Sequence, residues 1–316
     1  MILLLGRRLL EAVGVLFVLS VLIYTIGTLV PGDIAQQMTG IEGATPERMA
    51  EFRERLGLDR PLLVRYADWL GDAVRGDFGV SLFSGRDIGA DIRAQFPVSF
   101  EIAVVSVMLA VIIGIPLGVY GAVHTGSILD RLLRGLSLIF FSVPTFVSGV
   151  LFVWFGSMFL KPFYTSYYIP FTEDPLANLR AISLPCLAIA LPASASIIQM
   201  TRTTMISSLQ EPFIDTARVK GVSETRVRYL HALRDALGPV VTLIGLMFGA
   251  LVGGLIIVEQ IFNLPGLGRG VLVAIGQRDF PYVIAASLAI ATVYIAANLV
   301  VDFLYPILDP RQRDQK

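Results

Sequence analysis

Residues that commonly carry out chemistry are few in this chain and form no catalytic pattern. Its 316 residues include one cysteine, Cys186, and two histidines, His124 and His231. A single cysteine excludes an intrachain disulfide and a cysteine-rich metal site, and two histidines leave little for a histidine-based one. The sequence contains no G-x-x-x-x-G-K-[ST] loop to cradle a nucleotide, no H-E-x-x-H and no G-x-S-x-G. We therefore expect the chain not to be an enzyme and to bind no metal or cofactor itself.

Charged and small residues are concentrated instead in the segment Thr203–Pro239, which is predicted to fold as a helical hairpin. A first helix begins near Pro212, because proline suits the first helical position, and stops at Gly221. Ser223 is placed to cap a second helix. Apolar residues recur at helical spacing, namely Phe213, Ile214 and Ala217 in the first helix and Val227, Leu230, Leu233 and Leu237 in the second. A simple connection needs only a few residues, so an ordered, basic hairpin indicates a binding partner.

The overall composition indicates the class of protein to which this hairpin belongs. The chain has 25 basic and 25 acidic residues, and it is 55% hydrophobic and only 16% charged. A soluble domain has roughly 25% charged and 45–50% apolar residues. The sequence therefore predicts a membrane protein. The neutral charge balance argues against nucleic-acid binding, and the high hydrophobicity argues against disorder.

Apolar runs of the roughly 20 residues that a helix needs to cross a bilayer occur six times. They lie at about Leu9–Val30, Val98–Val123, Leu132–Phe159, Ile182–Met205, Val240–Phe262 and Tyr282–Leu308. These runs are too long and too uniformly apolar for the strands of a barrel. The first run is longer than the apolar core of a signal peptide, and no small-residue cleavage site follows it, so we interpret it as a retained span. The predicted fold is an all-α polytopic membrane protein with six transmembrane helices.

Basic residues in the short loops predict the orientation of these spans. The side that holds both termini and the segment Thr203–Pro239 is much richer in arginine and lysine than the opposite short loops. Both termini are therefore predicted to be cytoplasmic. The predicted order is an N-terminal transmembrane helix at 1–31, an extracytoplasmic helical loop at 32–97, a five-helix core at 98–308 that includes the hairpin at about 203–239, and a cytoplasmic tail at 309–316.

The loop between the first two spans is predicted to contain two helices. Thr45-Pro46 would start one that ends at Gly57. A second is predicted from the helical spacing of Leu62, Leu63, Tyr66, Trp69, Leu70 and Val74, and it would end at Gly76 to Gly79. Two interpretations remain open, a helical cap packed on the membrane face and a docking surface for an extracytoplasmic partner.

Polar residues within the third and fourth spans are candidates for lining a translocation path. They are Ser142, Thr145, Ser148, Ser194, Ser196 and Gln199. Prolines accompany them, and a proline frees a backbone carbonyl that another polar group must satisfy inside a membrane. Hydrogen bonding between helices is therefore an equally good interpretation. In span five, Gly245, Gly249 and Gly253 repeat at a spacing that permits close helix packing.

Four acidic residues, Glu11, Glu101, Glu259 and Asp302, lie within or at the ends of the apolar runs. Acids inside a membrane are candidates for function. All four fall near the ends of their spans, however, where a structural pair or a snorkelling side chain explains them at least as well. An ion-coupled transporter would place acids at mid-membrane, and none is predicted there.

The run Asp215–Pro239, DTARVKGVSETRVRYLHALRDALGP, resembles the cytoplasmic loop of membrane subunits of ABC importers. In that family the loop carries Glu-Ala-Ala, three residues and then Gly, and the matching positions are Asp215, Thr216, Ala217 and Gly221. The first two depart from the general consensus, as does the later segment His231–Arg234. These departures resemble the dipeptide, oligopeptide and nickel permease branch. Four further segments add to the resemblance: Leu58–Pro61, Gly76–Ser81, Phe262–Gly268 and Leu308–Arg311.

The resemblance implies a type I ABC importer fold and a multi-pass permease subunit of the bacterial inner membrane, similar to the first of the two permeases in such systems. Its implied partners are a second homologous permease, two ATPase subunits that bind ATP and Mg²⁺, an extracytoplasmic substrate-binding protein and the lipid bilayer. The residues implied in coupling to the ATPase are Glu211, Asp215, Thr216, Ala217, Arg218, Lys220 and Gly221. Peptides are the expected substrates. Nickel chelates, glutathione and other small solutes are alternatives, and an ion-coupled secondary transporter is a remote one.

Overall fold

The computed structural model describes residues 2–29, 59–160 and 167–308, and these residues form helices with no strand. They belong to two compact units. The first unit comprises Met1–Pro97 and Gly266–Thr292, and the second comprises Val98–Pro265 and Val293–Lys316. The predicted helix from Thr45 to Gly57 and the predicted tail at 309–316 lie outside the described residues.

The described helices are numbered here in chain order. They are α1 Ile2–Leu29, α2 Leu62–Val74, α3 Ile88–Val123, α4 Ile128–Ser142, α5 Thr145–Phe159, α6 Pro175–Leu209, α7 Pro212–Val219, α8 Glu224–Arg226, a π-helical segment Val227–Ala232, α9 Leu233–Gly254, α10 Ile256–Ile261, α11 Leu267–Gly276 and α12 Phe280–Leu308.

Five of these helices are long and apolar enough to cross a membrane, and a bent pair gives a sixth span if it is counted as one crossing. This confirms the predicted all-α polytopic membrane protein. The five are α1, α3, α6, α9 and α12, which correspond to the first, second, fourth, fifth and sixth predicted spans.

The third predicted span is not one continuous helix. It consists of α4 and α5, which meet at an angle of 100°. Pro144 has no N–H to continue the hydrogen bonding of α4, and its ring disfavours helical backbone at the residue before it. Val143 accordingly has the extended conformation, with φ −83° and ψ 119°. The predicted span at Leu132–Phe159 is therefore bent at Pro144, and it counts as a crossing only if α4 and α5 are taken together.

In the first unit, an apolar core joins the start of α3 to α11 and α12. Its buried members are Ile88, Ile92, Leu267, Val271, Ala274, Tyr282, Ala285 and Ala286. A buried hydrogen bond of 2.5 Å from Ser81 Oγ to Asp279 Oδ2 adds a polar tie between chain segments far apart in sequence. The predicted second loop helix is confirmed as α2, and Gly76 follows it with a left-handed φ of +87°.

In the second unit, one close helix contact involves two glycines that the sequence interpretation did not select. A Cβ atom at Gly114 would lie 2.6 Å from Ile197 Cγ2, and one at Gly118 would lie 2.6 Å from Thr201 Cβ. Glycines four residues apart thus let α3 approach α6 closely. In the predicted repeat of span five, a Cβ at Gly249 would lie 3.0 Å from Tyr294 Cδ2, a looser contact.

We expect Gly118→Ala to destabilise the second unit by about 1–3 kcal/mol, the usual effect of overpacking. The new methyl group would lie 2.6 Å from Thr201 Cβ and 2.9 Å from the Ile198 carbonyl oxygen, and a backbone atom yields little. The thermal unfolding midpoint of the purified protein measures the effect. Gly135→Ala is the matched control, because a Cβ there meets no atom within 4 Å. Equal midpoints for the two variants would contradict the close contact.

Candidate functional site

The predicted hairpin is present, and its first helix, α7, is anchored by one fully buried side chain. Ile214 lies in an apolar cluster, with Phe213 and Ala217 packed against it on the same face, as predicted. The other buried members of the cluster are Val119 and Ala122 of α3, Met205 of α6, Val227 and Ala232 of the π-helical segment, and Ala236 of α9. The cluster therefore fixes α7 to three apolar helices that are long enough to cross a membrane.

The end of α7 is formed by a Schellman motif around Gly221. The Gly221 N–H donates to the Arg218 carbonyl at 2.9 Å, and the Val222 N–H donates to the Ala217 carbonyl at 3.1 Å. Gly221 has a φ of +78°, in the left-handed region that side chains disfavour. A Cβ there would meet no atom within 4 Å. The backbone conformation, rather than a lack of space, therefore requires glycine at the predicted stop position.

The charged side chains of the hairpin form ion pairs with one another. Arg218 Nε donates to Glu224 Oε1 at 2.8 Å, and Arg218 Nη1 donates to Asp215 Oδ1 at 3.3 Å. The hydrogen bond to Glu224 raises the pKa of Arg218 above its ordinary value. Arg228 Nε lies 3.4 Å from Glu224 Oε2 on the other side. Exposed pairs of this kind contribute little to stability, and the pair of Arg218 with Glu224 is the one that joins α7 to α8.

The remaining predicted coupling residues lie on the exposed surface of the hairpin. Glu211 precedes α7 and Lys220 follows it, and neither forms an ion pair within the described part of the chain. Thr216 Oγ1 donates to the Pro212 carbonyl at 3.0 Å. Of the seven predicted residues only Ala217 is half-buried. The structure thus places the set on one short helix and its caps, with Glu211 and Lys220 free to meet an external charge.

The second helix of the hairpin differs from its prediction in register. Ser223 occupies the capping position before α8, but its side chain accepts no capping hydrogen bond. From Val227 to Ala232 the backbone is π-helical, with a wider turn than an α-helix. The buried residues are consequently Val227, Ala232 and Ala236 rather than the predicted Leu230, which is exposed. The α-helical spacing used for the prediction does not apply across a π-helical turn.

Among the path candidates, Ser148 forms a hydrogen bond between helices. Pro192 lacks the N–H that would bond to the carbonyl of Ala188, four residues earlier in α6. The buried Ser148 Oγ lies 3.0 Å from that carbonyl oxygen and 2.8 Å from the Thr145 carbonyl of its own helix. Ser148 therefore supplies the donor that Pro192 removes. Ser148 also borders a cavity of about 440 Å³, and the other side chains that line this cavity, including Pro192, are apolar.

The other path candidates are spread over two regions. Ser142 and Thr145 are exposed at the bend between α4 and α5, and Ser142 Oγ donates to the Leu138 carbonyl at 2.8 Å. Ser194 is buried in α6 and donates to the Leu191 carbonyl at 2.8 Å. Ser196 and Gln199 are half-buried on the same helix. Assignment of a path to these six residues stays a prediction.

Three of the acids singled out from the sequence have partners in the structure. Ser99 Oγ donates to Glu259 Oε1 at 2.6 Å, and both residues are buried. Glu101 accepts a hydrogen bond of 2.5 Å from Tyr168 and one of 3.3 Å from Asn178. Burial and the bond to Glu101 raise the pKa of the Tyr168 hydroxyl. Glu11 pairs with Arg7 at 2.9 Å on the surface of α1. The side chain of Asp302 lies outside the described residues. These contacts agree with the structural interpretation of these acids.

A buried ion pair of the second unit was missed in the sequence. Asp130, fully buried at the start of α4, accepts two hydrogen bonds from Arg202 of α6, at 2.6 Å from Nε and 3.1 Å from Nη2. The Gly126 N–H also donates to Asp130 Oδ2, at 2.9 Å. Ser127 Oγ accepts from the Asp130 N–H as a helix cap. The local signal was a serine three residues before an acid, which marks a helix start but does not identify the distant arginine.

Comparison with known proteins places the whole chain in one family. Residues 114–314 match the family model described as binding-protein-dependent transport system inner membrane component. Residues 1–103 match the model for the N-terminal part of the membrane component of such systems. Together the two models account for the N-terminal helix and nearly all of the core that carries α7.

This chain aligns over nearly its whole length with proteins named as peptide permeases. A Brucella abortus protein named for a peptide transport system permease is 37% identical over 307 residues, which cover 97% of this chain and 98% of the relative. The dipeptide transport system permease protein DppB of Escherichia coli K12 is 34% identical over 333 aligned positions, which cover 98% of each chain.

A solved structure shows the same fold. A chain of the MetNI methionine ABC transporter, in an inward-facing conformation, superposes with a TM-score of 0.54 over 69% of this chain and 96% of that one, at 19% identity. The shared architecture is the transmembrane fold of a type I ABC importer. With its multiple membrane-spanning helices and its match to both models, the chain belongs to the family of binding-protein-dependent transport system inner membrane components.

Proposed function

We propose that this chain is a permease subunit of an ATP-driven importer of peptides and forms half of the translocation pathway. The observation that carries this proposal is the similarity, over almost the full length, to relatives named as peptide and dipeptide permeases. The same similarity supports peptides over nickel chelates, glutathione or other small solutes, which are the alternative substrates.

The energy for transport comes from ATP hydrolysis by other subunits. The sequence lacks a nucleotide-cradling loop, so two separate ATPase subunits bind ATP with Mg²⁺ and hydrolyse it. A second, homologous permease completes the pathway, and a substrate-binding protein delivers the peptide from outside. In this proposal the termini and α7 face the cytoplasm, as the distribution of basic residues predicts.

The attachment of α7 makes it suited to transmit motion. Ile214 packs it against residues of α3, α6 and α9, and the ion pair of Arg218 with Glu224 joins it to α8. An ATPase subunit that contacts the exposed Glu211, Asp215 and Lys220 can therefore move these helices as one body when ATP is bound. Such a rigid-body change switches access to the pathway from one side of the membrane to the other.

Reconstituted transport tests the proposal. The chain is placed in liposomes with a homologous second permease and ATPase subunits, and the binding protein and a radiolabelled dipeptide are added outside. We expect accumulation that requires ATP inside, continues when ionophores collapse ion gradients, and is competed by unlabelled dipeptides but not by a nickel chelate or glutathione. Uptake that survives without ATP and stops with the ionophore would instead identify an ion-coupled transporter. Competition by the chelate alone would exclude peptides.

A further inference from the structure

We propose that α2 is a lipid-contacting helix, with the flank that carries Leu63 and Val74 inserted among the acyl chains of the bilayer. This inference concerns the membrane surface of the first unit and does not depend on the substrate or on the coupling of transport to ATP. It rests on the depth at which α2 contacts α1, on the exposure of one flank of α2, and on the charge of the opposite flank.

The contacts with α1 place α2 alongside the apolar part of that helix. Tyr66 of α2 forms a 2.7 Å hydrogen bond with Ser20, and its ring lies 5.5 Å from that of Tyr24 and 6.4 Å from that of Phe17. The apolar stretch of α1 runs from Gly6 to Thr28. Ser20 precedes its end by eight residues, or about 12 Å along a helix axis. A bilayer has an apolar core about 30 Å thick, so Ser20 lies within the depth of the acyl chains, and the Tyr66 side chain reaches it from α2.

Two hydroxyl groups at this contact have hydrogen-bond partners. The Tyr66 hydroxyl donates to Ser20 Oγ, which in turn donates to the Phe17 carbonyl at 2.7 Å. Trp69 adds a ring contact of 5.2 Å with Tyr24. Clustered tyrosine and tryptophan side chains are typical of the zone where a membrane meets water.

The flank next to this contact is apolar and uncovered. Leu63 and Val74 are 80% and 81% exposed. Eleven residues of α-helix make about three turns, so the two side chains project in nearly the same direction. Phe17 of the membrane-spanning helix α1, whose ring lies 6.4 Å from that of Tyr66, is itself 52% exposed. The flank of α2 thus lies next to an exposed apolar side chain of a helix that crosses the membrane.

The opposite flank is charged and suited to headgroups and water. Asp72 lies about 180° from Leu63 around the helix axis. Arg75 Nη1 is 3.4 Å from Asp72 Oδ1, and Arg60 Nη1 is 3.3 Å from Asp68 Oδ2, with all four side chains mostly exposed. An amphipathic helix with an apolar and a charged flank lies in the plane of the interface. Lipid acyl chains, rather than a folded partner, are therefore the occupant of the Leu63 flank.

Spin labels at matched positions test this placement. The full-length chain is reconstituted into phosphatidylethanolamine–phosphatidylglycerol liposomes in the assembly in which it is purified, with Cys186→Ser as the background, since Cys186 is buried. Nitroxides are attached at Leu63→Cys or Val74→Cys on one flank and at Asp72→Cys or Asp68→Cys on the other. Collision rates with oxygen, which concentrates in lipid, and with a water-soluble nickel complex are then compared.

We expect the ratio of oxygen to nickel collisions to be several-fold higher at position 63 or 74 than at position 72 or 68. Two sites on each flank keep the test valid if one variant fails to fold. Equal ratios on both flanks would overturn the proposal. So would a strongly immobilised nitroxide at position 63 with low collision rates for both reagents, because that spectrum reports cover by protein rather than by lipid.

Discussion

Gly221→Val is expected to reduce peptide uptake to about a tenth or less while leaving the amount of protein in the membrane unchanged. The backbone at position 221 is left-handed, with φ +78°. A side chain in that conformation costs roughly 1–2 kcal/mol, and a branched one is disfavoured most. Each 1.4 kcal/mol corresponds to about a tenfold change in a population. The variant would therefore rarely form the Schellman motif that ends α7, and α7 would seldom present its surface to the ATPase.

Gly221→Asn is the matched control for this prediction. Asparagine tolerates the left-handed conformation far better than valine, and space at position 221 is open, with no atom within 4 Å of a Cβ. We expect Gly221→Asn to retain most of the uptake. Labelled-dipeptide uptake and membrane yield are measured side by side for both variants. Similar losses in both would show that the bulk of any side chain, and not the backbone, matters at this position.

Asp130→Ala is expected to produce the largest loss of stability among these substitutions, about 3–5 kcal/mol, because it leaves the charge of Arg202, whose side chain is only 15% exposed, without its partner. Asp130 is fully buried, and it accepts two hydrogen bonds from Arg202 and one from the Gly126 N–H. The thermal unfolding midpoint of the purified chain and its yield in detergent provide the measurements.

Two further variants separate the buried pair from its surroundings. Arg134→Ala removes a second arginine near Asp130, but that contact is 3.7 Å long and Arg134 is 45% exposed, so we expect little change. Asp130→Ala combined with Arg202→Met leaves no unpaired charge, and we expect it to be less destabilising than Asp130→Ala alone. A double variant as unstable as the sum of its single changes would refute the interpretation that an unpaired charge causes the loss.

Features with a local cause could be predicted from the sequence. Pro212 and Gly221 mark the two ends of α7, because proline and glycine restrict or permit particular backbone angles regardless of the rest of the fold. The membrane-spanning helices follow from apolar runs whose length is set by the bilayer. The helical spacing of apolar residues such as Tyr66 and Trp69 correctly predicted α2, because that spacing also depends only on neighbouring residues.

Features that depend on distant residues could not be predicted. Asp130 and Arg202 are 72 residues apart, and nothing in either neighbourhood identifies the other. Two sets of glycines look equivalent in the sequence, namely Gly114 with Gly118 and the repeat in span five. Only their packing shows that Gly114 and Gly118 make the closer contact. The π-helical turn from Val227 also escaped prediction, because one wider turn moves every later side chain to a new face.

The hydrogen bond from Ser148 to the Ala188 carbonyl makes two residues on different helices one energetic unit. Pro192 creates the need for a donor, and Ser148 meets that need. Replacing Pro192 with alanine would restore the backbone N–H and make the serine hydroxyl redundant, whereas replacing Ser148 alone would leave a bare carbonyl. The effects of the two changes are therefore not additive. A substitution measured at either position describes the pair, and its severity depends on which residue the other helix carries.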